Sequence, residues 1–544
     1  MGVKDQVSRL LSNFSLSIVK LLLPVRDISI ELFNKTVFIK RLIFLSLFSI
    51  VSCNNGAVVL RISSSQKDFD YSKKYAKVID HYKDPKDSLK LKALYFILKN
   101  LDHQFYLSGA WINSFNTAVK YDKNISVNDL LTKSDSISQL IPVKLDTLRD
   151  DGIITSDYLI KNIDRAFETR KNKWVQDVNF NDFCEYVLPY KIDNEKPETW
   201  GMCLETEPYL KSDSLKKIES IFQATAYVND RLNWYKGTLD YDYPVEIGYE
   251  IARHVATGTC NSMTRMVCFQ TRALGLPVVV DYALTWGNRS EGHSWNSLIY
   301  KNHTYPFDAN GPNIGFYKIE FKGTGRMPYK IAKVFRKTFS KQVISLAAID
   351  SSSYPIPDIF YSTRIKDVTE QYVPVSDITL NYWRNFDDKF AYLSTFNNES
   401  WVICQWGMID GRKITFKKMG RDMVYLPVLY SSYRENNKLT PIGNPFILYK
   451  NGKIKELKAD EDEKQTLIIE RKYPDDESNK IFRGDKYELF YWRGSWKSLG
   501  SQVAKEDRLY FNNVPKGGLY WVRDLSEGKQ ERIFTYENGN QIWW

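Results

Sequence analysis

After about Asp350 the chain changes character, and that change constrains its fold more than any other feature. Downstream, short alternating runs such as FAYLSTF, WVICQW, KITFKK and MVYLPVLY are separated by Asn, Asp and Gly turns, the pattern of antiparallel strands. LYKNGKIKEL reads as a hairpin closed by an Asn-Gly turn. A second block, from about Gln465 to Trp544, repeats the pattern in YELFYWRGSW, RLYFNNVP, GLYWVRDL and ERIFTYENGNQIWW. Upstream, from about Asp68 to Arg170, the spacing is helical. There DPKDSLKLKALYFILKNL puts Leu91, Leu94, Ile97 and Leu98 near one face, with Asp84 or Asp87 to start the helix. At 544 residues the chain has room for two to four domains. The expected class is α+β and multidomain: residues 1–52 a leader, 53–195 a helical region, 196–350 an α+β core, and 351–460 and 461–544 two β-sandwich modules. A core cut after about Asp350 is expected to fold without the modules unless they cover its hydrophobic face.

Charge and cysteines narrow the function classes. The net charge is +11, but residues 1–52 hold seven Lys/Arg against three Asp/Glu and supply four of those charges. The remainder is scattered among acids, with no basic stripe or aromatic-interleaved motif, so no nucleic-acid partner is expected. The six cysteines, at 53, 184, 203, 260, 268 and 404, are irregularly spaced and lack CxxC, so neither a zinc site nor a disulfide framework is indicated. Only five histidines exist, at 81, 103, 254, 293 and 303, which shortens the search for a catalytic base. HExxH is absent, and GNRSEGH departs from a phosphate-binding loop because His293 stands in place of the Lys.

The front end reads as a secretory signal. Lys40 and Arg41 precede the apolar run LIFLSLFSIV, too short for a spanning helix of ~20 residues. IVSC follows and resembles a bacterial lipobox, which implies cleavage before Cys53 and lipid attachment to its thiol. Some 39 residues precede Lys40, more than such a leader needs; a translation start near Val37 would account for them.

The chemistry concentrates between residues 257 and 310. In TGTCNSMTRMVCFQTRALGLP, Gly258 and Thr259 mark a turn and Met263, Met266, Val267, Gln270 and Leu274 keep helical spacing. Cys260 therefore falls in a first helical turn, where main-chain N–H groups and the helix dipole favour a thiolate; Cys268, mid-helix, reads as core. LPVVVDYAL reads as a buried strand, and TWGNRSEG leads into HSWNSLIYKNHTYPFDAN. With Lys301 and Asn302 as a two-residue turn, Tyr300 faces His303 and Trp295 faces Asp308. His293 then shares a face with Asp308, ~7–8 Å away along the diagonal, while His303 points to the opposite face. Pro306 requires an edge strand or a bulge. A helix-start thiol, an imidazole and a carboxylate in this order are nucleophile, base and orienter.

The motifs GTC, RALGLP, GHSWN and FDAN together resemble the transglutaminase-like superfamily, whose papain-like core carries Cys, His and Asp in this order. The resemblance covers roughly residues 249–310 and implies Cys260 as nucleophile, His293 as base and Asp308 as orienter. The whole chain is similar to transglutaminase-domain lipoproteins of gut-type Gram-negative bacteria, in which a helical region precedes the core and β domains follow. Transglutaminases proper often place Trp directly after the nucleophile, whereas Asn261 stands here. The expected function is a lipid-anchored cell-envelope protein, at the outer membrane, that cleaves or transfers an amide or peptide bond through a thioester. Its expected substrate is a peptide, protein or glycopeptide, contacted by Trp286, Arg289 and Trp295, with no metal or organic cofactor. The competing reading is a catalytically idle lipoprotein that binds peptide or glycan through β-module aromatics such as Trp492, Trp496 and Trp521.

Overall fold

Helices form upstream where capping residues meet apolar spacing. The computed structural model describes residues 71–544 apart from 121–124, 200, 239–242, 244, 312–313, 315–328, 351–355, 383–384, 434–435, 475–478 and 527–531. The expected leader and Cys53 lie outside the described residues. The Asp84 carboxylate accepts the Lys86 N–H and starts a single turn that runs into α1, Ser88–Asn100. Leu94 and Ile97 of α1 are fully buried, and Leu91 packs against the same core. Thr155 caps α2, Ser156–Thr169, by accepting the Tyr158 N–H. Helix α3, Ile221–Asn229, buries Ile221, Ala224 and Val228. Helix α4 runs Cys260–Ala273 with Thr259 as its N-cap.

The central sheet has five strands: β1, Val278–Ala283; β2, His293–Tyr300; β3, His303–Phe307; β4, Phe335–Lys337; and β5, Ile365–Asp367. Their order is β3-β2-β1-β4-β5, and every pair is antiparallel. Lys301 and Asn302 both have positive φ, 49° and 62°, as a two-residue type I′ hairpin requires. That turn fixes the pairing from Tyr300 with His303 to Asn296 with Phe307. Proline 306 causes no register shift because β3 is an edge strand. Helix α4 lies on β1 and β2, where the Asn296 amide donates to Thr264 O (2.9 Å) and Val279 O (3.2 Å). Arg336 of β4 clasps Asp281 of β1 through two bonds, 2.8 and 2.7 Å, with both side chains buried.

The protein mixes helix and sheet, but its layers do not follow the expected segment boundaries. One continuous apolar core runs from Tyr71 in the helical region through Val228 and Val267 to Leu298 and Phe307 in the sheet. No break in packing falls at residue 195. The boundary at Asp350 cuts the central sheet, because β5 lies beyond it and pairs with β4. A core cut there loses a strand.

The first β block also departs from a sandwich. It is one eight-stranded sheet, running in the order Val375–Asn381, Lys413–Gly420, Ser400–Asp410, Phe390–Asn397, Met423–Tyr433, Phe446–Leu448 and Ile454–Glu456, with Asn436–Pro441 also on Met423–Tyr433. Both faces are apolar, which explains why every residue of Phe390–Asn397 is buried. One face encloses Ile378, Leu393, Phe416 and Tyr425, while the other packs with Phe335 and Phe360 and with Trp521 and Trp544. The second block is two-layered: Asp460–Ile469 pairs with Leu509–Lys516 and packs through Leu467 and Phe511 against a five-stranded sheet carrying Leu489 and Val522. Trp492 and Trp521 are buried between the two blocks, in edge-to-face contact with Trp401 and Phe396. Edge-to-face aromatic packing stabilises such a junction beyond its buried area.

A chain ending at Asp350 should therefore lose its cooperative melt, because β5 and the apolar cover over Phe335 and Leu346 go with the β blocks. Circular dichroism against temperature checks this; a transition as sharp as that of the full chain would contradict it.

Candidate active site

Three elements deliver the three expected residues to one place. Cys260 is the first residue of α4, His293 opens β2, and Asp308 directly follows β3. His293 Nε2 lies 2.9 Å from Asp308 Oδ1, and the Cys260 thiol is also within hydrogen-bonding reach of the imidazole. All three are partly open to solvent: Cys260 is half-buried, and the side chains of His293 and Asp308 are 32% and 39% exposed. His303 lies exposed at the other end of the hairpin, with Nδ1 2.8 Å from Lys301 O. Gly292 permits the approach to His293, since a Cβ there would meet Leu284 O at 2.4 Å and Ala283 O at 2.5 Å.

Electrostatics separate these groups from their chemical siblings. Burial pulls the His293 pKa down, but the hydrogen bonds that it donates to Asp308 and Cys260 and their negative charges outweigh it, raising the value to about 10. Burial pushes the thiols of Cys184, Cys268 and Cys404 up to about 12 and that of Cys203 higher still. Those four are buried, so among the described cysteines Cys260 alone is partly exposed. Cys268 is a packing residue: its thiol donates to Val278 O and accepts from the Asn296 amide.

The surroundings of His293 are aromatic. The ring of Trp286 lies 6.1 Å from the imidazole, stacks on Tyr329 at 4.6 Å and is only 5% exposed. Trp295 sits two residues along the same face, 6.2 Å from His293 and 1% exposed, with its indole N–H donating to Tyr372 Oη. Both indoles thus act as packed floor beneath the imidazole rather than as open surface. Arg289 is half-buried, its guanidinium 4.5 Å above the Tyr329 ring.

Behind the start of α4 is a nest of buried charge. The Asn261 amide donates to Glu246 at 3.0 Å, and Arg265 joins Glu246 to Glu195. Lys337 bonds Glu246 and Asp193, and Arg364 lies 3.7 Å from Asp193. Asn261 thus has a local purpose: it presents a donor to a carboxylate that an indole could not satisfy in the same way. Alternating sign keeps each charge compensated.

Sequence reasoning misses Asn229. This residue ends α3, is 1% exposed, and holds the turn after β3 by three bonds: Nδ2 to Asp308 O (3.1 Å) and Gly311 O (3.0 Å), and Oδ1 from Asn310 N–H (2.9 Å). An amide side chain on the helical face of Ile221, Ala224, Thr225 and Val228 was the available signal. Among the described residues, no group of three or more His, Cys, Asp and Glu is arranged to hold a metal ion. No described helix is long and apolar enough to cross a membrane.

Compared with known proteins, the chain matches no family model, and no curated protein is significantly similar to it.

Two measurements follow from this geometry. Asn229→Ala should destabilise the protein by about 2 kcal/mol, because buried main-chain groups lose their partners; urea unfolding reads this, and a loss near zero would contradict it. His293 has a raised pKa in the folded state, so its stabilising bond is fully present below the ordinary value of 6.5 and is lost as pH climbs through about 10. The stability gap between wild type and Asp308→Asn should accordingly be widest near pH ~6 and close over that window. A gap constant with pH would show that the imidazolium is not what Asp308 stabilises.

Proposed function

We propose that the protein is a thiol enzyme of transglutaminase-like type that opens an amide or peptide bond through a thioester. One observation carries this reading: the His293 imidazole is hydrogen-bonded to the Asp308 carboxylate and to the Cys260 thiol together. With Nε2 engaged by Asp308, Nδ1 is the nitrogen left to serve the sulfur. The raised proton affinity of His293 suits a thiolate–imidazolium pair, in which the imidazole holds the thiol proton before substrate arrives.

The steps follow from that pair. The Cys260 thiolate attacks the substrate carbonyl carbon, and the negative charge moves to the carbonyl oxygen. Main-chain N–H at the start of α4 would stabilise that oxyanion. The C–N bond breaks as the imidazolium gives its proton to the leaving amine, and the acyl group remains on sulfur. Neutral His293 then takes a proton from water, hydroxide attacks the thioester, and the acid departs as the sulfur regains its place beside the imidazolium. An amine in place of water would transfer the acyl group instead; hydrolysis is the preferred course. Asp308 keeps the imidazole in one tautomer and compensates its charge throughout.

The proposed setting is a cell envelope, with the chain anchored by lipid on Cys53, and the proposed substrate is a peptide, protein or glycopeptide. A core of papain-like type is part of the same reading, supported by a helix-start cysteine packed on an antiparallel sheet that carries the histidine. The competing reading, a peptide- or glycan-binding protein, has less support, because Trp492 and Trp521 are buried between the β blocks and Trp496 is half-buried against Trp401 and Trp492.

Peptide and glycopeptide libraries offered to the protein test the reading. Cys260→Ala should abolish turnover, His293→Ala should come close to doing so, and Asp308→Asn should lower kcat by ~10²- to 10⁴-fold with the fold intact. His303→Ala should be mild. Turnover that survives in Cys260→Ala would overturn the assignment.

A further inference from the structure

The segment that leads into His293, residues 284–292, is held from outside the central sheet. Thr285 Oγ1 lies 2.6 Å from Thr395 Oγ1, on the strand Phe390–Asn397. The Glu291 N–H donates to Asn397 Oδ1 at 2.7 Å, and the Asn398 amide donates to the Glu291 carboxylate at 2.7 Å. Gly287 runs so close to Met423 that a Cβ would meet its Cε at 2.1 Å. The next residue in the same hairpin tip, Glu399, pairs with Arg523 of the C-terminal block at 3.2 Å.

Arg532 completes the grip. Its side chain is 1% exposed and donates to three main-chain oxygens: Gly287 O in the loop, Phe396 O in the first β block, and Trp544 O at 2.7 Å. Burial pulls the guanidinium down to about 10, so an apolar side chain of similar size would cost less here. What the guanidinium offers is a planar fork of donors that reaches three separate segments at once. Lys330 reinforces the same point: its N–H donates to Asn288 Oδ1, its carbonyl accepts the Gly287 N–H, and its ammonium lies 4.4 Å over the Trp544 ring.

We propose that Arg532 is a positioning residue for the thiol site, fixing the loop that delivers His293, so that the site is assembled only when the C-terminal β block is docked. This rests on the thiol-enzyme reading for its catalytic meaning. The device couples whatever displaces the C-terminal block to the distance between His293 and Cys260. Near-attack geometry is steep enough that a shift of about 1 Å changes rate by roughly 10²-fold.

The test compares the full chain with Arg532→Met, Arg532→Lys and Asn397→Ala. Hydrogen–deuterium exchange is read at residues 284–292, and Cys260 alkylation is followed against pH. Arg532→Met should speed exchange in that loop, slow alkylation at neutral pH by roughly 10- to 100-fold, and move the alkylation profile to higher pH. Arg532→Lys should recover part of each effect, and Asn397→Ala, which removes one acceptor at the hairpin tip, should move both readouts the same way by less. Wild-type exchange together with a wild-type alkylation profile in folded Arg532→Lys and Asn397→Ala would overturn the proposal, whether or not Arg532→Met folds. If wild-type Cys260 alkylates like a free cysteine, the thiol-enzyme reading fails instead, and the exchange data still decide whether Arg532 holds the loop.

Discussion

The register of a single hairpin governs the site. Lys301 and Asn302 adopt left-handed backbone conformations and close a two-residue turn, so the pairing of β2 with β3 has no freedom to slide. Side chains alternate across a sheet, and a slip of one residue would send His293 and Asp308 to opposite faces. The same turn sets His303 apart from the site, and the packing of Asn296 against α4 ties the hairpin to the helix that begins with Cys260. Cys260, His293 and Asp308 are brought together by one turn and one helix start.

Around that geometry the protein arranges its charge in two ways. Beside Cys260 the compensation is local and partly solvated, which leaves an imidazole with high proton affinity next to the most accessible described thiol. Behind α4 the compensation is more deeply buried at Arg265 and Glu195, with Glu246, Lys337 and Asp193 half-buried around them. Buried ion pairs add little net stability over apolar packing but are costly to break. Here they lie behind the start of α4, and Asn261, the residue after Cys260, is bonded into that lattice through Glu246.

Much of the site was legible because its determinants are short-range. A Gly-Thr turn before an apolar helical pattern located the first turn of α4, and the parity of the hairpin placed His293 with Asp308. The hidden parts are long-range. Asn229 and Arg532 act on main-chain atoms 79 and 245 residues away, and no local pattern marks such a partner. Packing and strand pairing continue across residues 195 and 350 for a related reason. A switch from helical to alternating spacing reports local structure, whereas β5 joins the central sheet and the upstream helices share its core through contacts distant in sequence. Aromatic density in the β blocks was similarly ambiguous: the same Trp residues suit a ligand face or a junction, and Trp492 and Trp521 serve the junction.

At neutral pH His293 should carry a proton, held there by Asp308 and Cys260 together. Nitrogen-15 NMR of the histidine side chains, followed against pH, tests this most directly. The His293 imidazolium signal should persist through neutrality and titrate near pH ~10, falling towards the ordinary ~6.5 when Cys260 and Asp308 are both replaced. A His293 signal that titrates near ~6.5 in the wild type would contradict it.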